Sequence, residues 1–222
     1  MNISVQKYGL RRALSNVTFA LSLSVAPVAA AEPLELVALG DSLTQGYGLP
    51  EGDGLVPQLQ AWLTAQGQEV RVVNAGVSGD TTAGGLSRLD WSLTPETDAL
   101  MVILGGNDLL RGIPPAEMRA NLDAILTGAR GRGLPVLLVP MQATMNYGAE
   151  YKAAFDAAYG ELAAKHGAEL GQPFFAALGD ADPVSLAAYM QADGIHPNKE
   201  GVAKIVAALG PQVAALLSGA AN

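Results

Sequence analysis

The chain has 222 residues, of which 50% are hydrophobic and 15% are charged, and it contains no cysteine. This length suits one well-buried domain, and the absence of cysteine excludes disulfide bonds and a cysteine-linked lipid anchor. The formal net charge of −8 argues against nucleic acid and anionic lipid as partners.

The first 31 residues differ in composition from the rest of the chain. Three basic residues precede an apolar stretch over residues 13–28, and Ala29–Ala31 supply small residues at its end. This layout predicts a cleaved signal peptide. A membrane anchor is the alternative, but the stretch is short and diluted by polar residues. Cleavage would leave a single domain, residues 32–222, with 10 basic and 21 acidic side chains. We therefore expect a periplasmic or secreted protein, exported by a Sec-type signal, without a stable membrane anchor.

The rest of the chain contains two kinds of apolar pattern. Short, nearly continuous aliphatic runs predict strands buried on both faces, and apolar residues at helical spacing predict amphipathic helices. In chain order the predicted elements are a strand at Leu34–Leu39, a helix around Leu55–Leu63, a strand at Val70–Val73, a helix around Leu86–Leu93, a strand at Ala99–Leu104, a helix around Met118–Leu126, a strand at Val136–Val139, a helix around Tyr151–Leu162, a fifth strand at Phe174-Phe175 and a last helix around Val202–Leu209 that Gly210-Pro211 kinks or ends. This alternation predicts right-handed βαβ units and a parallel sheet between helices.

Polar segments follow three of the predicted strands, and a fourth precedes the last helix. They are Gly40–Ser42, Asn74–Asp80, Gly105–Asp108 and Asp193–Asn198. The carboxyl ends of parallel strands share one edge of the sheet, which is where ligands bind in such folds. We therefore expect these segments to converge on one crevice.

The convergence of a serine with a histidine and an aspartate would provide nucleophilic chemistry. A serine nucleophile needs a base, and the base needs an acceptor that orients it. Of the two histidines in the chain, His166 ends a helical pattern and is expected to be exposed. His196 lies in a loop three residues after Asp193, and Pro197 restricts its backbone. Taken alone, Asp193 and His196 also fit an ordinary loop that precedes and caps a helix.

An oxyanion requires hydrogen-bond donors that are fixed before the reaction. The amides of Ser42 and Gly79 and the side-chain amide of Asn107 are candidates. Asp80, which precedes two threonines, is expected to cap a helix, and Asp41 is expected to shape its turn.

Four segments, "GDSLTQGYG", "GVSGDTTAGG", "GGND" and "DGIHPN", resemble in this order the four blocks of the SGNH, or GDSL, hydrolase family. More narrowly, the chain is similar to the bacterial periplasmic thioesterase, arylesterase and lysophospholipase group. The resemblance implies a flavodoxin-like three-layer α/β/α sandwich with a five-stranded parallel sheet, and no metal or cofactor. It also implies Ser42 as nucleophile, His196 as base and Asp193 as its partner, with an oxyanion hole formed by Ser42, Gly79 and Asn107.

The implied reaction is hydrolysis of acyl or aryl esters or thioesters through an acyl-Ser42 intermediate. The expected substrate is a small molecule, and the expected protein is a monomer. Apolar residues near the predicted crevice are candidates for binding the acyl or aryl group; they are Leu109, Ile113, Met145 and Tyr147. A polysaccharide O-deacetylase with the same triad is one alternative, although no aromatic platform for sugar is evident. A flavodoxin-like ligand-binding protein is another, although the chain lacks G-x-G-x-x-G and a Walker lysine.

Overall fold

The computed structural model of the protein describes residues 1–4, 33–179 and 186–220. Apart from its first four residues, the predicted signal peptide lies outside this range. The chain divides into two units at Glu32 and Pro33, and the unit from Pro33 onward forms the fold described below.

Helices and strands alternate along this unit. The elements are β1 (Leu34–Gly40), α1 (Ser42–Gln45), α2 (Leu55–Ala65), β2 (Val70–Gly76), α3 (Thr82–Ser87), α4 (Leu89–Ser92), β3 (Ala99–Ile103), α5 (Gly106–Leu110), α6 (Pro115–Gly131), β4 (Val136–Leu138), α7 (Ala149–His166), β5 (Glu169–Leu170) and α8 (Lys199–Ala220). Within the described residues the five strands form one parallel sheet in the order β2-β1-β3-β4-β5. The predicted α/β fold class, with a five-stranded parallel sheet, is confirmed.

The helices form two groups. Helix α2 packs against α8, whereas α6 packs against both α3 and α7. The strand order reverses direction at β1, and right-handed crossovers on either side of such a reversal place their helices on opposite faces of the sheet. The core lies between these layers, and the middle strands β1 and β3 are almost wholly buried.

The sheet register aligns three strand ends at one edge. Gly40, the last residue of β1, pairs with Gly76 on β2 and with Ile103 on β3. The segments that follow these three residues therefore leave the sheet at the same level. Three of the four polar segments are brought together by this register.

The predicted fifth strand at Phe174-Phe175 is wrong. The fifth strand is the two-residue β5, which pairs with Leu137 and Leu138 at the sheet edge. Both of its residues are exposed, so no apolar run marks it in the sequence. Phe174 instead lies in a turn, with its ring buried and packed edge-on against Phe175. Phe174 belongs to the hydrophobic core, and the partly buried Phe175 packs against it.

The helix predicted around Leu86–Leu93 is two short helices that meet at Arg88. The guanidinium of Arg88 donates to the carbonyl oxygens of Gly40 and Ala75, at 2.7 and 2.8 Å, and pairs with Asp80. Helical spacing alone could not reveal this break, because it depends on an arginine that reaches the ends of two strands.

Helix α8 continues through Gly210 and Pro211, so of the two predicted effects, a kink or an end of the helix, the end is wrong. A Cβ at position 210 would lie 2.6 Å from the Trp62 ring, and the glycine therefore permits close packing against α2. Helix α8 is long and apolar enough to cross a membrane, but half of its most apolar stretch is buried inside the fold. We interpret it as a core helix.

Candidate active site

Ser42 is the first residue of α1, directly beyond the carboxyl end of β1. The turn into α1 is tight: a Cβ at Gly40 would lie 1.9 Å from Thr44 Oγ1 and 2.9 Å from the carbonyl oxygen of Ile103. Asp41 caps the helix, since its Oδ1 accepts a hydrogen bond from the Leu43 amide at 3.0 Å. The expectation that Asp41 shapes the turn is confirmed.

A series of hydrogen bonds joins Ser42, His196 and Asp193. His196 Nε2 lies 2.8 Å from Ser42 Oγ, and His196 Nδ1 lies 2.6 Å from Asp193 Oδ2. The serine and histidine are 154 residues apart in sequence. The structure thus brings together the three residues predicted to form the triad.

Asp193 is held as a carboxylate. Its Oδ1 accepts hydrogen bonds from the amides of His196, at 3.0 Å, and Ile195, at 2.9 Å. These bonds and the one from the imidazole lower the pKa of Asp193 to about 2, with the His196 amide as the largest cause. A carboxylate only accepts hydrogen bonds, so it selects the tautomer in which Nδ1 carries the proton. Nε2 is then free to accept the hydroxyl proton of Ser42.

Asn107, on α5, is joined to the Ser42 turn through Asp41. Its Nδ2 donates to Asp41 Oδ2 at 3.1 Å. The Asp41 side chain is therefore shared between the helix cap and the candidate oxyanion donor. Burial raises the pKa of Asp41 to about 6, although the hydrogen bonds from Leu43 and Asn107 and the nearby His196 act in the opposite direction.

Gly79 lies in the segment that follows β2, with a φ of 82°. Arg111, at the end of α5, donates to its carbonyl oxygen at 2.6 Å and so joins this segment to the one that follows β3. Within the described residues, neither the Gly79 amide nor the Ser42 amide has a hydrogen-bond acceptor. Unpaired amides at converging strand ends fit the requirement for fixed donors.

Two of the predicted substrate-binding residues, Met145 and Tyr147, are exposed in a single 3₁₀ turn that precedes α7. Tyr147 Oη lies 3.4 Å from the carbonyl oxygen of Leu110, and a Cβ at Gly112 would touch its ring. Leu109 is partly buried against the core. The carbonyl of Ile113 accepts a hydrogen bond from Tyr151 Oη at 2.8 Å. The turn and the segment after α5 therefore lie side by side.

Two expectations about polar residues outside the triad are wrong. His166 is not exposed: its side chain is only 6% accessible, and its Nε2 contacts Asp123 Oδ1. Asp80 does not cap a helix, because Thr81 caps α3 while Asp80 pairs with Arg88. The His166–Asp123 contact joins residues that are distant in sequence, and the helix cap depends on which of two adjacent polar residues is used. Residue spacing predicts neither arrangement.

Four residues around the site were missed by sequence reasoning. Arg88 and Arg111 hold the segments after the strands, as described above. The ring of Tyr47 lies with its centroid 4.8 Å from that of His196, and the side chain of Gln191 joins the loops that carry Tyr47 and His196. Only the nearness of Tyr47 and Gln191 to the polar segments could have drawn attention to them.

One hollow in the described residues lies at the opposite edge of the sheet. Its volume is about 560 Å³, and its lining includes Asp98, Arg130 and His166. It is bordered by residues that precede β3, β4 and β5, whereas the serine follows β1. No group of three or more histidine, aspartate or glutamate side chains suited to a metal ion occurs in the described part of the chain.

A parallel α/β sheet with a Ser-His-Asp series at its carboxyl edge defines a serine hydrolase. A family model described as "GDSL-like Lipase/Acylhydrolase family" matches residues 38–204, and the chain therefore belongs to that family. It is a serine carboxylic ester hydrolase that acts on small ester substrates. The flavodoxin-like ligand-binding protein considered from the sequence is thereby excluded.

Relatives agree with this assignment. Esterase TesA of Pseudomonas aeruginosa is 45% identical over 163 residues, which are 73% of this chain and 79% of TesA. The Thioesterase 1/protease 1/lysophospholipase L1 of Escherichia coli K12 is 36% identical over 167 residues, which are 74% of this chain and 76% of that protein. The crystal structure of AlinE4, an SGNH-hydrolase family esterase, matches with a TM-score of 0.68 and 41% identity, over 85% of this chain and 99% of AlinE4.

Proposed function

We propose that Ser42 is the nucleophile, His196 the general base and Asp193 the carboxylate that orients His196. The hydrogen-bond series from Asp193 through His196 to Ser42 is the observation that carries this proposal. Ser42 Oγ attacks the carbonyl carbon of the ester as Nε2 takes the hydroxyl proton. The imidazolium then gives this proton to the leaving alcohol or thiol, and an acyl-serine remains. Water activated by His196 completes the hydrolysis.

The negative charge that develops on the carbonyl oxygen is stabilised by three donors: the amides of Ser42 and Gly79 and the side chain of Asn107. Support for the amides comes from their lack of any acceptor in the described structure. Support for Asn107 comes from its bond to Asp41, which leaves its second amide hydrogen available. Donors fixed in this way need no reorganisation during the reaction.

The substrate class that fits best is an ester or thioester of an acyl or aryl group. The segments beside the site carry apolar side chains, including Leu109, Ile113, Met145 and Tyr147. Such a lining favours an acyl chain over the polar sugar ring that an O-deacetylase must bind. The names of the two curated relatives, an esterase and a thioesterase/lysophospholipase, agree with this class.

We also propose that residues 1–31 direct export and are removed, so that the enzyme acts in the periplasm or outside the cell. We propose separately that it acts as a monomer. The basic, apolar and small-residue order of this segment supports export. Mass spectrometry of the protein recovered from the periplasm of an expressing bacterium should give an N-terminus at Glu32. An uncleaved protein in the membrane fraction would contradict this part of the proposal.

Labelling by a nitrophenyl alkylphosphonate tests the nucleophile. The native enzyme should gain the mass of one phosphonyl group on Ser42 and lose activity toward nitrophenyl acetate. Ser42→Ala should take up no label. Ser87→Ala is the matched control, because Ser87 lies on α3 and its hydroxyl donates only to the Gly84 carbonyl. Labelling of Ser42→Ala at the native rate would reject Ser42 as nucleophile.

A further inference from the structure

Gln191 connects the loop of the proposed base to the loop that follows the proposed nucleophile. Its Nε2 donates to the carbonyl oxygen of Tyr47 at 2.8 Å and to that of Pro197 at 3.0 Å. Tyr47 follows α1, which begins with Ser42, and Pro197 directly follows His196. One side-chain amide therefore uses both of its hydrogens to join segments 144 residues apart.

The main chain of Gln191 holds the same loop from within. Its amide donates to the carbonyl oxygen of His196 at 2.7 Å, and its carbonyl accepts from the Gly194 amide at 3.0 Å. These two bonds close the loop that carries the triad residues Asp193 and His196. The side-chain bonds of Gln191 thus act on a loop that is already compact, and they fix its position relative to α1.

Gly48 provides the space for this side chain. A Cβ at position 48 would lie 2.2 Å from Gln191 Oε1, so no other residue allows the glutamine to approach the loop after α1 so closely. The Gly48 backbone also has a φ of 73°, which favours glycine. The absence of a side chain at Gly48 and the length of the Gln191 side chain are therefore sterically complementary.

The two carbonyls bound by Gln191 belong to residues that adjoin His196. Pro197 follows the histidine in the chain, and the ring of Tyr47 contacts the imidazole itself. A second connection, in which Lys199 Nζ pairs with Asp53 at 2.9 Å, lies beyond the loop at the start of α8. It ties the helix but makes no contact with His196.

We propose that Gln191 is a positioning residue that holds His196 Nε2 in reach of Ser42 Oγ. This inference rests on the roles proposed for Ser42 and His196. Proton transfer from the serine depends on a short, aligned contact, and a displacement of about 1 Å can cost roughly 100-fold in rate. Loss of the two side-chain bonds should therefore slow attack by Ser42 more than it weakens substrate binding.

Gln191→Met is the main test, since methionine keeps the length of the side chain but donates no hydrogen bond. Gln58→Met is the matched control. Gln58 is also half-buried, and its Nε2 also bridges two carbonyls, those of Asp53 and Lys199, but it does not touch the His196 loop. The measurements are the second-order rate of phosphonylation by the nitrophenyl phosphonate, kcat and KM for nitrophenyl acetate, and Tm.

Gln191→Met should slow phosphonylation and lower kcat by roughly 10- to 100-fold with little change in KM. Gln58→Met should react at the native rate even if its Tm falls. Gln191→Glu, which sets a carboxylate against two carbonyl oxygens, should be at least as slow and provides a second variant if methionine prevents folding. Folded Gln191 variants that phosphonylate at the native rate would overturn the inference, whereas native enzyme that takes no label on Ser42 would overturn the proposed function.

Discussion

The two oxygens of Asp41 hold two different parts of the site. Oδ1 caps the helix that begins with Ser42, and Oδ2 accepts from Asn107 Nδ2. Because a carboxylate cannot donate, Asn107 must turn its NH₂ group toward Asp41, and its second amide hydrogen is then fixed in direction. Asp41 therefore determines in which direction the NH₂ group of Asn107, the proposed oxyanion donor, points.

Asp41→Asn should lower kcat while leaving the fold intact. The new side-chain oxygen still caps α1, but the new NH₂ faces the NH₂ of Asn107, which must flip and turn its donor away. Loss of one oxyanion donor costs about 10²–10³ in kcat, so we expect a loss approaching 10²-fold with KM little changed. Steady-state kinetics with nitrophenyl acetate provide the measurement. Native kcat in this variant would show that Asn107 needs no fixed orientation.

Asp41 should also make stability depend on pH. Burial raises its pKa to about 6, above the value near 4 of an unfolded aspartate, so the native state binds the proton more tightly than the unfolded state. This difference makes the free energy of unfolding fall as pH rises from about 4 to about 6, after which the loss is constant. Urea unfolding at pH 4, 5, 6 and 7 should show that Asp41→Asn lacks this part of the fall. Parallel curves for the two proteins would contradict the assignment.

Asp193→Asn should remove most activity without disturbing the loop. An asparagine oxygen still accepts from the amides of Ile195 and His196, but its NH₂ group then faces His196 Nδ1 and selects the other tautomer. Nε2 would carry the proton and could not accept one from Ser42, and comparable changes lower kcat by about 10⁴-fold. Activity at pH 7 and Tm should be measured together. A large fall in Tm with a parallel loss of activity would indicate a structural role instead.

The helices and strands beside the site differ in how well a sequence pattern predicts them. β1 and β3 are predicted because continuous aliphatic runs mark strands buried on both faces. α1 and α5 have four and five residues and were not predicted. Each begins at a strand end and is fixed by tertiary contacts, such as the Asp41–Asn107 bond, rather than by apolar spacing.

The same limit applies to the candidate site. Ser42 could be selected as a polar residue at a strand end, and His196 with Asp193 as a loop histidine with an acidic residue three positions before it; the family resemblance implies the same three residues. The bonds from Gln191 to Tyr47 and from Arg111 to Gly79 could not be predicted from the sequence, because they depend on how far a long side chain reaches between distant segments.

Gly40→Ala tests the turn that joins β1 to α1. The added Cβ would overlap Thr44 Oγ1 and approach the Ile103 carbonyl, so the turn must move and carry Ser42 with it. We expect a loss of about 1–3 kcal/mol in the free energy of unfolding, together with a large loss of activity. Gly131→Ala in α6 is the control, because no atom lies within 4 Å of the added group, and it should be neutral or stabilising by up to about 1 kcal/mol. Equal urea midpoints for the two variants would contradict the close packing.

Exposed apolar side chains are unevenly distributed over the folded domain. Within its described residues, eight large apolar side chains are exposed, and six of them lie in segments beside the site; the six are Tyr47, Val77, Leu110, Met145, Tyr147 and Ile195. The other two are Trp91 and Leu170. A protein with an excess of acidic residues thus presents most of its large exposed apolar side chains around the candidate active site.

Met145→Ser should reduce activity toward long acyl chains more than toward acetate. An apolar wall gains binding energy with each methylene that it covers, and removal of the thioether should lower kcat/KM for nitrophenyl octanoate by about tenfold. The acetate ester should be much less affected. Trp91→Ser is the control, since Trp91 is exposed on α4 and belongs to none of the four polar segments. An equal loss for both esters would indicate that Met145 does not contact the acyl chain.

Ser42 and His196, the proposed nucleophile and base, are 154 residues apart in sequence, and the histidine comes just before α8. Ribosomal synthesis therefore makes Ser42 long before His196. A nascent chain that stops short of His196 lacks the proposed base, and α8, which packs against α2, must be present before the His196 loop is anchored from both sides. Esterase activity should consequently begin only after the residues through α8 have been made, so that shorter nascent chains remain chemically inert toward the lipids and thioesters of the cell that makes them.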